Sequence, residues 1–153
     1  MKVTFEDLIQ EYCDTGHLDS IPDSEGVYVV YLPDKFSITI KQDSDALKSP
    51  RKPYDIEMLK SKLEIITQDG LIDNNVVYIG KADDSRKRTR QFVRFGMGLG
   101  SNHAGGRALW QIENNKKLLF EYTICPGSRV RENEMLLDFK SRHGDYPLAN
   151  FRK

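Results

Sequence analysis

The sequence predicts a single α+β domain, an α/β sandwich of helices around a small β-sheet. Three observations carry this. Segments of helical period alternate with short runs of β-branched and aromatic residues, so both kinds of element must bury one face on the other. The 153 residues suit one domain with a sizeable core. No internal repeat and no second domain are visible, so residues 1–153 read as one unit.

The elements follow in order. Thr4 and Asp7 make a capping-box start for a helix over 4–15, with Phe5, Leu8, Ile9 and Tyr12 on one face. Ser24-Glu25-Gly26 is turn chemistry, and Val27 to Leu32 is a strand. Phe36, Ile38 and Ile40 alternate and predict a neighbouring strand, with Pro33-Asp34-Lys35 between the two. Residues 41–53 are polar, contain Pro50 and Pro53, and read as a loop. Ile56, Leu59, Leu63 and Ile66 place a helix over Asp55 to Thr67, ended by Asp69-Gly70. Val76 to Ile79 is a short buried strand that stops at Gly80. Asp83 or Asp84 caps a basic helix reaching about Phe95, and Gly96, Gly98 and Gly100 turn the chain into a loop. A short helix at 106–113, a strand from Lys117 to Ile124 and a last helix from a Ser128 cap to His143-Gly144 complete the set. The tail from Tyr146 has no helical period.

Composition narrows the class. Apolar residues make up 39% and charged residues 30%, as in an ordinary soluble globular protein. No apolar run approaches the roughly 20 residues of a membrane span. Glu6, Asp7 and Glu11 near the start are unlike a signal peptide, so a cytoplasmic protein without a membrane partner is expected. Cys13 and Cys125 lack metal-ligand spacing and read as reduced thiols. The formal net charge is zero, but it is unevenly spread. Residues 1–80 hold 8 Lys and Arg against 15 Asp and Glu, a balance of −7, and residues 81–153 hold 15 against 8, a balance of +7. Either the two halves pair with each other, or the second presents a basic face to a polyanion.

The residues with chemistry lie mostly in that basic half. Two tyrosine motifs, Gly26-Val27-Tyr28 and Tyr78-Ile79-Gly80, mark strands; alone, each reads as half-buried packing. Lys81 follows the second directly, and residues 81–94 hold Lys81, Arg86, Lys87, Arg88, Arg90 and Arg94 against Asp83 and Asp84. Arg88 shares its helix with Phe92 and Phe95 and is expected to lean toward the sheet, where a guanidinium can hold a phosphate by two hydrogen bonds. A merely solvated helix face is the plainer reading of this run. Arg107 extends the cationic set. On the last helix, Met135, Leu136 and Phe139 fall three, four and seven residues after Glu132, which places Glu132 on the apolar stripe. A carboxylate there is costly unless it meets a cation, either a metal ion or an Arg at the core edge. Glu134 faces elsewhere. Asn150 is the one amide in Pro147-Leu148-Ala149-Asn150-Phe151, and needs partners if buried or else makes a turn.

Taken in order, Gly26-Val27-Tyr28, Tyr78-Ile79-Gly80-Lys81, Arg88, Glu132 and Asn150 resemble the GIY-YIG nuclease family over residues 26–151. The resemblance implies a mainly antiparallel sheet of about three central strands flanked by helices, with both tyrosines near its centre. It also implies a metal-dependent endonuclease acting on phosphodiester bonds in DNA, with RNA left open as substrate. Tyr28 and Tyr78 would flank the attacking water, one as base. Arg88 would hold the scissile phosphate, Glu132 a Mg²⁺ or Mn²⁺ ion, and Asn150 would brace the site. Lys81, Arg86, Arg90, Arg94 and Arg107 are the expected substrate contacts. A positive neighbour would have to lower a tyrosine from its ordinary pKa near 10 for it to act as base.

Three departures accompany the match. Val27 stands in place of Ile. The stretch 32–75 is long where the family has a short hairpin, and is expected to be an added substrate-reading element. Phe92 lies four residues after Arg88, where many members carry His or Tyr, so His103 is the candidate to supply that polar group. The alternatives are a catalytically inactive nucleic-acid-binding module of the same fold and a purely structural interaction domain.

Overall fold

The computed structural model describes residues 2–41, 53–67, 75–99 and 104–151. It is α+β. Four antiparallel strands, β1 (Lys2–Thr4), β2 (Gly26–Tyr31), β3 (Val76–Ala82) and β4 (Leu119–Ile124), form one open sheet in the order β1-β4-β2-β3. The helices are α1 (Phe5–Thr15), α2 (Ile56–Ile66), α3 (Ser85–Gly96) and α4 (Ser128–His143). The expected short helix at 106–113 is a 3₁₀ helix over Ala104–Gln111. No described helix is long and apolar enough to cross a membrane.

The start signals are realised closely. Thr4 and Asp7 form the reciprocal capping box of α1, each side chain taking the other's backbone N–H at 3.0 Å. Asp55 caps α2 and Asp84 caps α3. Ser128 is not the cap of α4: that position is Gly127, in the left-handed region, and Ser128 is the first helical residue.

Two expectations about the sheet are corrected. There are four strands rather than about three, because β1 adds to the edge of β4 through Val3 opposite Phe120. And Phe36 to Ile40 is no strand of this sheet. Both edges of β2 are already occupied, by β3 on one side and β4 on the other. The segment pairs with the end of the 3₁₀ helix instead: Lys41 donates to the Gln111 carbonyl at 2.7 Å and Glu113 to that of Thr39 at 2.8 Å, around an Ile40–Ile112 bridge.

Strand alternation sets the two faces. Tyr28, Val30, Tyr78 and Phe120 share one face, as their register pairs require. Phe120 stacks on Tyr28 with ring centroids 5.4 Å apart. Phe5 of α1, Phe92 of α3 and Trp110 form a three-ring cluster with centroids 4.8 to 5.3 Å apart. Helix α4 packs against β3 and β2, burying Leu136 and Phe139. The outer edge of β3 is closed by the tail, where Ala149 donates to the Val77 carbonyl at 2.9 Å. A covered edge is protected from pairing with another chain.

Candidate active site

Both motif glycines are required by close approach. A Cβ on Gly80 would lie 2.4 Å from the Cζ of Tyr28, so only glycine lets that ring lie across β3. A Cβ on Gly26 would lie 2.5 Å from the Thr123 carbonyl oxygen and 3.0 Å from the Ser85 hydroxyl, so glycine brings β2, β4 and the start of α3 together. The two short motifs are thus what lets two tyrosines crowd one spot: the rings lie 5.8 Å apart, with only 5% and 6% of each residue exposed.

Tyr28, Tyr78, Lys81, Arg88 and Glu132 line one cavity of about 550 Å³. They come from β2, β3, α3 and α4, and the sequence separates the first from the last by more than a hundred residues. The two tyrosine hydroxyls are hydrogen-bonded to each other, and Arg88 donates to Tyr28 as well. Arg88 is steadied by Gln91, whose Oε1 accepts from its Nη1 at 3.2 Å. Glu132 is half-buried and close enough to act on both phenols. Glu134, by contrast, is exposed and pairs with Arg131 at 3.6 Å.

The expectation that positive neighbours lower a tyrosine is not met by the protein alone. Burial raises the Tyr28 phenol above its ordinary 10, and the Arg88 charge, the Tyr78 hydroxyl and the Arg88 hydrogen bond recover only part of that. Tyr78 is raised well above 10, through burial and then through the neighbouring Tyr28 phenol. Arg88 acts on Tyr28 through its charge and a hydrogen bond and on Tyr78 through its charge alone, so Tyr28 is the better candidate for a phenolate.

Asn150 does not line the cavity. It sits behind it, where its Oδ1 accepts from the Ile79 N–H at 2.9 Å and its Nδ2 donates to the Ile79 carbonyl at 2.8 Å. The side chain thereby replaces a missing strand beside the residue that follows Tyr78, which is a brace in the literal sense. His103 lies outside the described residues. Phe92 is core, packed on Phe5 and Trp110, which explains why no polar group stands at that position.

The structure places the other expected substrate contacts elsewhere. Arg86 donates to the Ile21 carbonyl at 2.7 Å and ties down the turn before β2. Arg90 and Arg94 flank the Tyr12 ring, 5.7 and 5.9 Å from its centroid, on the side facing α1. Arg107 stacks over Tyr54 at 4.1 Å. The cavity is reached instead by Lys87, named in the basic run but not among the expected contacts, and by Gln91, which sequence reasoning missed. Their signal was helical spacing: Gln91 lies three residues after Arg88 and four after Lys87, so it shares a face with both.

Glu25 was also missed. Its Oε1 accepts from both the N–H and the hydroxyl of Ser128, each at 2.9 Å, and so caps α4 from a distant element. This fixes the helix that carries Glu132. The Ser128 N–H, then its hydroxyl, holds the Glu25 carboxyl below its ordinary value. A lowered carboxyl stabilises the fold above its unfolded pKa, and that contribution is lost as pH falls through the folded value. Glu25→Gln is therefore expected to melt below the wild type at neutral pH, and the gap to close as pH drops below the ordinary carboxylate value of about 4.3. Melting curves across that range check it.

A divalent cation fits this donor set in one way. Among the described residues no group of three His, Cys, Asp or Glu side chains could enclose a metal. Asp84 caps α3 and Asp83 pairs with Lys81 at 3.7 Å; Glu132 is the carboxylate of the cavity that acts on both tyrosines. One carboxylate, completed by water and a substrate phosphate, is a common way to hold Mg²⁺.

No protein-family model, no curated protein and no solved structure matches the chain.

Proposed function

We propose that the protein is a GIY-YIG-type endonuclease that hydrolyses phosphodiester bonds in DNA with the help of one Mg²⁺ or Mn²⁺ ion. The observation that carries this reading is the convergence of Tyr28, Tyr78, Arg88 and Glu132 on one cavity from four separate elements. Packing alone gives no reason for two phenols, a guanidinium and a carboxylate to meet there.

The roles follow from the contacts. The Tyr28 hydroxyl lies at the cavity wall, where it meets Tyr78 and accepts from Arg88, so a water in the cavity is within its reach. With a phenol raised above 10, Tyr28 orients that water at neutral pH. It becomes a base only as positive charge gathers around it. Arg88, fixed by Gln91, holds the phosphate and offers charge that needs no reorganisation. Glu132 would hold the cation, which when bound supplies Lewis-acid stabilisation of the leaving oxygen. Lys81 and Lys87 flank the cavity and would hold adjoining phosphates.

The same raised phenols favour the second reading, a module that binds nucleic acid without cutting it. Nicking of supercoiled plasmid with Mg²⁺ or Mn²⁺, with and without chelator, separates the two. Chelator-sensitive relaxation supports the nuclease; retained binding without relaxation supports the module.

The cavity also predicts which cations matter. Lys81→Ala and Lys87→Ala are each expected to lower the slope of log affinity against log salt by about one unit, the worth of one phosphate contact. Arg90→Ala, whose guanidinium sits against Tyr12, is expected to leave that slope nearly unchanged. Filter-binding titrations over a range of salt concentrations measure it.

A further inference from the structure

The stretch 32–75, long where the resembled family is short, does not reach the cavity with any described residue. Its helix α2 instead buries one lysine: Lys62 is 8% exposed. A lysine is seldom this buried without a fixed partner. Here the partner is the tail. The Nζ of Lys62 donates to the Asn150 carbonyl and lies 4.2 Å over the Phe151 ring. That ring stacks on Tyr54 at 4.2 Å, and Arg107 covers the far side of Tyr54 at 4.1 Å. The result is a four-layer stack of cation, two rings and cation that clasps the tail just where the Asn150 amide pairs with Ile79. Tyr54 is itself held at both backbone groups by the buried Gln111 side chain.

We propose that Lys62 is a positioning residue: by clasping the Asn150 carbonyl it keeps the Asn150 amide on the Ile79 peptide and so holds the Tyr78 ring against Tyr28. Residues 53–67 then serve the site from behind, as a clamp on the tail. Its effect on rate rests on the nuclease reading; its effect on the Ile79 peptide does not.

The test reads both. In Lys62→Met, amide hydrogen exchange at Ile79 is expected to speed up roughly tenfold relative to distant amides, the scale of one hydrogen bond loosened. Nicking by the same variant is expected to lose about ten- to a hundredfold in kcat with KM little changed, as for a misplaced reacting group. Lys62→Arg, which keeps a donor and a cation over Phe151, is expected to restore most of both. Asn150→Ala removes the amide, so adding Lys62→Met to it is expected to change Ile79 exchange by less than about twofold, because coupled residues are not additive. Normal Ile79 exchange in Lys62→Met, or full additivity in the double variant, overturns the proposal. If Lys62→Met does not fold, Lys62→Arg decides: wild-type protection at Ile79 supports the clamp and its loss refutes it. A wild-type protein that cuts no DNA sinks the nuclease reading alone, since the exchange measurement needs no cleavage.

Discussion

Glu132→Gln is expected to abolish metal-dependent cleavage while DNA binding stays within a few-fold of the wild type. The substitution keeps the shape of the side chain and removes the negative charge, and Glu132 is the carboxylate of the cavity that acts on both tyrosines. A Mg²⁺ held by one protein carboxylate has no second one to fall back on. Losing charge stabilisation at a leaving oxygen commonly costs about 10²–10³-fold, as for a single oxyanion donor, and more where an ion goes with it. Glu134→Gln is the control: that side chain is exposed and paired with Arg131, so its rate is expected to match the wild type. Single-turnover nicking at several Mg²⁺ concentrations makes the comparison. An active Glu132→Gln beside a dead Glu134→Gln would mean that α4 presents the wrong carboxylate in this account.

Tyr28→Phe is expected to be the next most damaging change, and to exceed Tyr78→Phe. Each removes one hydroxyl from a ring that still fills its place, so the melting temperature is expected to move little. Their roles differ. Tyr28 meets Arg88 through both its charge and a hydrogen bond, while Tyr78 meets Arg88 through its charge alone and supports Tyr28 from beside it. General acid–base assistance is worth about 10²–10⁴-fold, which is the loss expected for Tyr28→Phe; Tyr78→Phe removes one supporting hydroxyl and is expected to lose less. Because Tyr28 sits above its ordinary value, the wild-type rate is expected to keep rising with pH through the neutral and mildly alkaline range, and Tyr28→Phe to flatten that rise. If both variants cut normally while His103→Ala is crippled, proton transfer belongs to His103 and the two tyrosines are packing residues.

Much of this molecule is legible along the chain. Capping pairs such as Thr4 with Asp7, and the caps Asp55 and Asp84, are local chemistry, decided within three or four residues, and the structure realises them. The α+β class follows from periods that are equally local. The residues that meet in the cavity were nameable by type and order because Tyr28, Tyr78, Arg88 and Glu132 each stand out against their own segment. What stayed hidden is what another element decides. A strand of three residues such as β1 has too few positions to show a period, and it exists only because β4 offers an open edge. Phe36 to Ile40 alternates like a strand, but β2 had no edge left to receive it. Helix α3 carries two cationic rows, and charge alone cannot say which one faces the cavity. Burial of Ser85, Thr89, Phe92 and Val93 turns Lys87, Arg88 and Gln91 toward the cavity and leaves Arg86, Arg90 and Arg94 on the turn before β2 and on Tyr12. The same holds for the phenols: their residue type is written in the chain, but desolvation, which raises them, is a property of the packed interior. Sequence alone therefore determined which side chains are available and which local elements carry them. Tertiary packing decided which face of each element turns inward, and with it which charges meet and how far each is withdrawn from water.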